Sequence, residues 1–468
     1  MDRVTPGAEA EERVALRDGR SAELHATGVS LPLGDGRSFT PYGELIHVAV
    51  GARSVRLGTT RGSVSLARAA FADPDGPHEL SRRLQERLVA LPDGEQRRAR
   101  QAALDRRQQG VARPWLGLSL AVLAVAFHGL ALVLPAVALD GEYWRVLGLT
   151  REPWRLVTSQ LVHATATHLA LNALGLVVLG GWLERQVGAA RTALVTAAAG
   201  AGAMLGSAAA GYESVVGASG LVMGFAGGLV ALELRRPDLL PALLRLPRRL
   251  LVGAVLADFV LLSFVPNVAH AAHVGGLVGG SFAALAVAPA DAAHFRPGPA
   301  LRAACAAVLV LVIAALGAFG YGLFDPATAA ARRGARLVDD RAAPILLLNN
   351  DAWTIATSAE PTDDELELAL RMARRAVRAT QHLDPNLLDT LAEVYFQLGR
   401  SEEAVETIER AIALAPGEPY FEEQRRRFVG ERAPDDRPEP PRELPPDAEE
   451  EAPPLEPELA PDSPAIRV

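Results

Sequence analysis

Ser219 lies in GASGLVMG, residues 217–224, between two apolar runs, where a membrane helix should begin. A serine hydroxyl is inert until a base takes its proton, so this stretch is half a site. Two other apolar runs carry polar residues: HATATHLALN supplies His163, His168 and Asn172, and AHAAHVGGLVGG supplies His270 and His273. Polar side chains in such runs are costly and mark function by default. In this reading Ser219 attacks a carbonyl and His273 serves as its base. His168 and Asn172, four residues apart, share a helix face. With the Ser219 backbone N–H they can hold a developing oxyanion. No acid placed to orient His273 is evident at this level, which points to a Ser-His dyad and not a triad. His163 reads as a structural hydrogen-bonder and His270 as a loop residue.

These residues must be positioned by apolar helices. Seven candidate spans stand at 115–138, 161–181, 191–211, 216–234, 248–265, 271–289 and 301–324, each approaching the roughly 20 residues that cross a bilayer. Arginines gather at 97–113, 185–191, 235–249 and 296–302, on alternate loops, and the positive-inside rule puts those loops in the cytoplasm. The N-terminus is then cytoplasmic, the C-terminus outside, and His163, His168, Ser219 and His273 fall toward the outer side. Gly220, Gly224 and Gly228, and separately Gly276 and Gly280, repeat every four residues, a spacing that lets membrane helices approach closely. Asp258, in the middle of span five, must face protein or water or be protonated.

The 468 residues carry a net charge of −8, and every basic side chain is arginine; with the abundant alanine this suggests a GC-rich bacterial genome. One cysteine, Cys305, excludes a disulfide framework or a multi-cysteine metal site. No cofactor, metal or nucleic-acid partner is expected. Before the spans, turn signals at Asp18-Gly19 and Asp35-Gly36 separate strand-like stretches, and Leu80, Leu84, Leu88 and Leu91 then fall on one helix face; the element order resembles a pleckstrin-homology-like module. After them, Leu391, Ala392, Tyr395, Gly399, Ala404, Ile408, Ala411 and Pro416 stand at the packing positions of a tetratricopeptide repeat.

Taken together, Gly217-Ala218-Ser219-Gly220, the His168/Asn172 pair, Ala272 to Gly280, Trp154-Arg155 and His163 resemble the rhomboid family of intramembrane serine proteases over roughly residues 115–290. The resemblance implies peptide-bond hydrolysis in transmembrane protein substrates. Ser219 would be the nucleophile, His273 the base, and His168, Asn172 and the Ser219 backbone the oxyanion donors. His163, Gly217, Gly220, Trp154 and Arg155 would support them, the Trp-Arg pair as scaffold for the outer loop. One departure is Met223, where many relatives place an aromatic residue against the catalytic histidine. A silent rhomboid-like protein that binds membrane clients is the alternative.

The expected fold is an all-α polytopic bundle of six plus one transmembrane helices with a small β-rich module in front and helical repeats behind. Its parts are 1–94, the β-rich module; 95–114, a basic linker; 115–290, the protease core; 291–325, the seventh helix; 326–344, a linker; 345–430, the repeats; and 431–468, a disordered acidic, proline-rich tail. The expected location is a bacterial inner membrane, in contact with lipid, with a peptide or protein partner on the repeats.

Overall fold

The computed structural model describes residues 10–438 apart from 35, 111–112, 135, 149 and 263–267. The tail from 439 on and half of the Asp35-Gly36 turn therefore lie outside the described residues. The chain divides into two compact units, the break falling between residues 316 and 317.

The first unit opens with seven strands. β1 (Glu12–Ala15), β2 (Ser21–Leu24), β3 (Gly28–Leu33) and β4 (Gly36–Pro41) form one antiparallel sheet in chain order. β5 (Leu45–Val50), β6 (Ser54–Thr59) and β7 (Gly62–Ala67) form a second. Gly19, at φ 79°, makes the turn between β1 and β2. Leu24, Val29, Leu31, Val55 and Leu57 are fully buried beneath helix α1 (Gly76–Val89), which covers them with Leu80, Leu84 and Leu88. The β-rich module expected from the turn spacing is present.

Residues 95–114, expected as a linker, are mostly helical: α2 spans Gly94–Gln109. Its arginines mask a buried face made by Gln101, Ala103 and Leu104. Gln101 behaves as a substitute strand, accepting from Val48 N–H at 3.1 Å and donating to Val48 O at 2.7 Å.

The apolar region follows as α3 (Leu116–Val133), α4 (Ala136–Gly141), β8 (Tyr143–Trp144), α5 (Arg155–Thr158), α6 (Ala166–Gly175), a π-helical turn at Leu176–Gly180, α7 (Gly181–Val187), α8 (Ala189–Ala209), β9 (Ser214–Val215), α9 (Ser219–Arg235), α10 (Arg248–Leu262), α11 (His270–Ala286) and α12 (Pro299–Phe324). Among the described residues four helical stretches, Leu116–Val133, Ala166–Val187, Ala189–Ala209 and Pro299–Phe324, are long and apolar enough to cross a membrane. The other three expected spans are α9, α10 and α11, with 17, 15 and 17 residues. The surface composition is inverted relative to a water-soluble bundle. Leu132, Leu171, Leu174, Phe282 and Leu311 point outward, while the interior mixes glycine, alanine and buried polar residues with a core that includes Leu183, Phe225, Leu229 and Leu232. Such a surface needs lipid around it, so the protein is a multi-pass integral membrane protein.

The β module sits on the segment between α9 and α10. Arg245, fully buried, donates through Nε to Glu233 Oε1 at 2.9 Å on α9 and through Nη1 to Thr59 O at 2.5 Å on β6. His47 accepts from Ala242 N–H at Nδ1, 2.8 Å, and Nε2 lies 3.0 Å from Asp105; these partners place its proton on Nε2. Arg56 donates to the Leu243 carbonyl at 3.2 Å, and Arg248 to the Thr60 carbonyl at 2.6 Å.

The second unit contains α13 (Pro326–Leu337), α14 (Ile345–Ala356), α15 (Asp363–Ala379), α16 (Pro385–Gln397), α17 (Ser401–Leu414) and α18 (Pro419–Phe428). Most of the expected 326–344 linker is thus a helix. It is capped by Asp325, which accepts from Thr328 N–H, and held by Arg333, whose Nε lies 2.9 Å from Asp351 Oδ2 on α14. Leu391, Ala392, Tyr395, Ala404, Ile408 and Ala411 are buried between helices, and Gly399, at φ 73°, turns the chain from α16 to α17. α18 closes the stack through polar contacts. Asp389 accepts from Tyr420 Oη at 2.9 Å and from Gln424 Nε2 at 3.1 Å, and burial pushes its carboxyl up to about 7.

Candidate active site

Local rules explain how each expected site residue is presented. Thr165, in extended conformation, caps α6 by accepting from His168 N–H at 3.1 Å. This fixes His168 in the first turn and puts Asn172 one turn further on. Gly217 has φ 109°, a conformation other residues rarely adopt, and a Cβ there would stand 2.3 Å from His168 Cε1. The His168 ring therefore lies directly over the backbone that leads into Ser219, the first residue of α9. Gly217 N–H donates to Ser159 O at 2.8 Å.

His163 holds the next residue. Its Nε2 accepts from Ala218 N–H at 3.3 Å and its Nδ1 faces Leu161 O at 3.1 Å, so the proton sits on Nδ1 and the ring is neutral. Its ring packs edge-on to His168, the centroids 5.1 Å apart. The side-chain amide nitrogen of Asn172 is buried without a hydrogen-bond partner among the described residues, as is Nδ1 of His168. An orphaned buried donor costs about 1–3 kcal/mol, and a developing oxyanion is the kind of group that would satisfy it.

Helix α11 brings His273 to the same place. A Cβ on Gly276 would lie 2.1 Å from Gly220 O, and one on Gly280 2.2 Å from Gly224 O. Only glycine permits this contact, and it sets Ser219 and His273 in the opening turns of adjoining helices. A second glycine face, Gly275 and Gly279, presses α11 equally closely against Gly202 and Ala198 of α8. The period-four reading missed that face, although the doubled glycines of VGGLVGG carry it.

His270 is the first residue of α11 and not a loop residue; its ring centroid is 6.4 Å from that of His273. Met223 is buried. Arg155 is fully buried and braces the segment between α3 and α6, donating through Nε to Glu152 at 2.6 Å and through Nη1 to Leu139 O at 2.8 Å and Glu142 O at 2.6 Å. Trp154 caps the short helix that presents it. Trp144 pairs with Ser214 in the β8–β9 ribbon, which ties that segment to the strand entering Gly217.

No acid near His273 is legible in the sequence. Asp258 of α10 is one: its Oδ2 lies 3.4 Å from His273 Nδ1. Distance along the chain concealed it, because α10 reaches His273 only through tertiary packing.

Residues 150–290 match the family model described as "Rhomboid domain". The chain is 28% identical over 270 residues to "Rhomboid protease GluP" of Bacillus subtilis (strain 168), covering 57% of this chain and 46% of that protein. It is 29% identical over 199 residues to "Rhomboid protease AarA" of Providencia stuartii, covering 36% of this chain and 71% of that one. It is 35% identical over 136 residues to "Putative rhomboid protease YdcA" of Bacillus subtilis, covering 28% and 64%. The chain thus spans just under half of GluP. The matched segment supports the rhomboid family.

Proposed function

We propose that this protein is a rhomboid-type intramembrane serine endopeptidase that hydrolyses peptide bonds in or beside the transmembrane segments of membrane proteins. Ser219 acts as nucleophile and His273 as base; His168, Asn172 and the Ser219 N–H receive the oxyanion. The observation that carries this reading is the glycine seam. It presses the Ser219 and His273 helices together, while the His168 ring lies against Gly217 and the Asn172 amide nitrogen is buried without a hydrogen-bond partner among the described residues. His163 positions the backbone before Ser219 and takes no part in the chemistry. All seven expected spans cross the membrane, with the N-terminus in the cytoplasm of a bacterial cell. The β module is then a cytoplasmic, pleckstrin-homology-like domain, and the tetratricopeptide-like helices present a surface for extended peptide.

Purified protein treated with a fluorophosphonate probe tests the reading. Wild type labels, whereas Ser219→Ala and His273→Ala do not, though both remain folded. A wild type that neither labels nor cleaves any transmembrane reporter would instead be a silent client-binding protein.

A further inference from the structure

We propose that Asp258 is a positioning residue for His273: its carboxylate accepts a hydrogen bond from Nδ1–H, which keeps the proton on Nδ1 and leaves Nε2, with its lone pair free, for Ser219. The inference rests on the protease reading and deepens it.

Four observations carry it. Asp258 Oδ2 and His273 Nδ1 face each other at 3.4 Å across two different helices. Both atoms are shielded from solvent and neither has a hydrogen-bond partner among the described residues, so each is the other's available complement. The separation exceeds the usual N–H···O distance of about 2.7–3.2 Å, yet catalytic hydrogen bonds are commonly long before substrate binds and shorten in the complex. Finally, Leu256 and Val260 of α10 are 60% and 58% exposed. Residues four apart share a helix face, and the residue midway between them points to the other side. Asp258 is that residue, which turns it toward His273, its side chain staying 32% exposed.

The acylation step balances with the substrate alone, and water afterwards hydrolyses the ester. As Ser219 Oγ bonds to the scissile carbonyl carbon, its proton passes to His273 Nε2, and the resulting imidazolium is stabilised by the Asp258 carboxylate. The same proton then goes to the departing amine nitrogen as the peptide C–N bond breaks, leaving an ester on Ser219. Asp258 holds no proton at any stage; it fixes the tautomer and complements the charge. A carboxylate in the middle of a span costs free energy that an aliphatic residue would not, and this role accounts for its presence. A gating role for Asp258 differs in a measurable way. A gate controls the passage of a bulky helical substrate, whereas an orienting carboxylate controls the reactivity of Ser219 toward any electrophile.

The experiment uses the full chain in detergent micelles and measures the second-order rate of fluorophosphonate labelling beside cleavage of a transmembrane reporter. Asp258→Asn is expected to slow labelling and lower reporter kcat together, by roughly 10- to 100-fold, with KM little changed. The effect stays below that of a fully buried triad carboxylate because the pair is long and partly exposed. Asp258→Glu restores most of both rates, and thermal melts show that the variants stay folded. If Asp258→Asn fails to fold, Asp258→Ser provides the same comparison against Asp258→Glu. Labelling unchanged in Asp258→Asn, with or without loss of reporter cleavage, overturns the proposal; so does a Glu variant as slow as Asn in a folded protein. A wild type that never labels is a different failure, because it removes the protease reading itself.

Discussion

Asn172 and His168 carry the sharpest prediction at the scale of single residues. Asn172 Nδ2 is buried without a partner among the described residues, an arrangement that costs stability in the resting protein and is repaid only when negative charge develops nearby. Asn172→Ala should therefore lower kcat by about 10²–10³-fold, the usual cost of losing one oxyanion donor, with no loss of thermal stability. A kinetic and melting comparison checks both halves; a marked drop in stability would mean that Asn172 serves packing instead. His163 behaves in the opposite way. Both of its ring nitrogens are engaged by the backbone, at Leu161 and Ala218, which leaves none for substrate. Its place in the motif was legible in the sequence, and the backbone contacts give that place a structural purpose.

At the scale of elements, α11 is the organising helix. Its neighbouring glycine pairs, Gly275/Gly279 and Gly276/Gly280, pack against α8 and α9 at backbone contact. This is the small-residue packing that membrane helices use when no hydrophobic effect drives them together. Gly276→Leu should push α11 off α9, since even its Cβ would collide with Gly220 O at 2.1 Å. The expected result is loss of fluorophosphonate labelling together with a lowered melting temperature. Gly317, in α12, has open space around it, so Gly317→Ala should leave both unchanged and serves as the control. Helices α2 and α13 show where sequence reading stops. Both stretches read as linkers in the sequence, because neither carries a long apolar run. Their helicity depends on a few buried contacts, such as Gln101 to Val48 and Arg333 to Asp351, whose partners lie in other elements.

At the scale of the whole first unit, the β module is anchored to the segment that joins the Ser219 helix to the Asp258 helix. Arg245 is the centre of that joint, fully buried between Glu233 and the Thr59 carbonyl. Removing one member of a buried ion pair typically costs about 3–5 kcal/mol, because the other charge is left uncompensated. Arg245→Met should accordingly lower the melting temperature of the full chain. The double variant Arg245→Met/Glu233→Gln should recover part of the loss, since the buried carboxylate, left in the single variant with only Arg248 at 3.9 Å, is then removed. An unchanged melt for Arg245→Met would show that the pair does not hold the joint.

The sequence by itself determined the chemistry on offer. Residue types at fixed local spacing, GASG, the His168/Asn172 pair and AHAAHVGG, are set by helix period and backbone conformation, which are local properties. The apolar runs likewise announced membrane helices, because the bilayer acts on each stretch separately. Tertiary structure alone decided which groups meet. Asp258 against His273, Arg245 between Glu233 and Thr59, and the second glycine face of α11 all join residues on different elements. No periodicity encodes such meetings; they arise when whole helices pack, and a close glycine contact or a buried charge then fixes one arrangement among many.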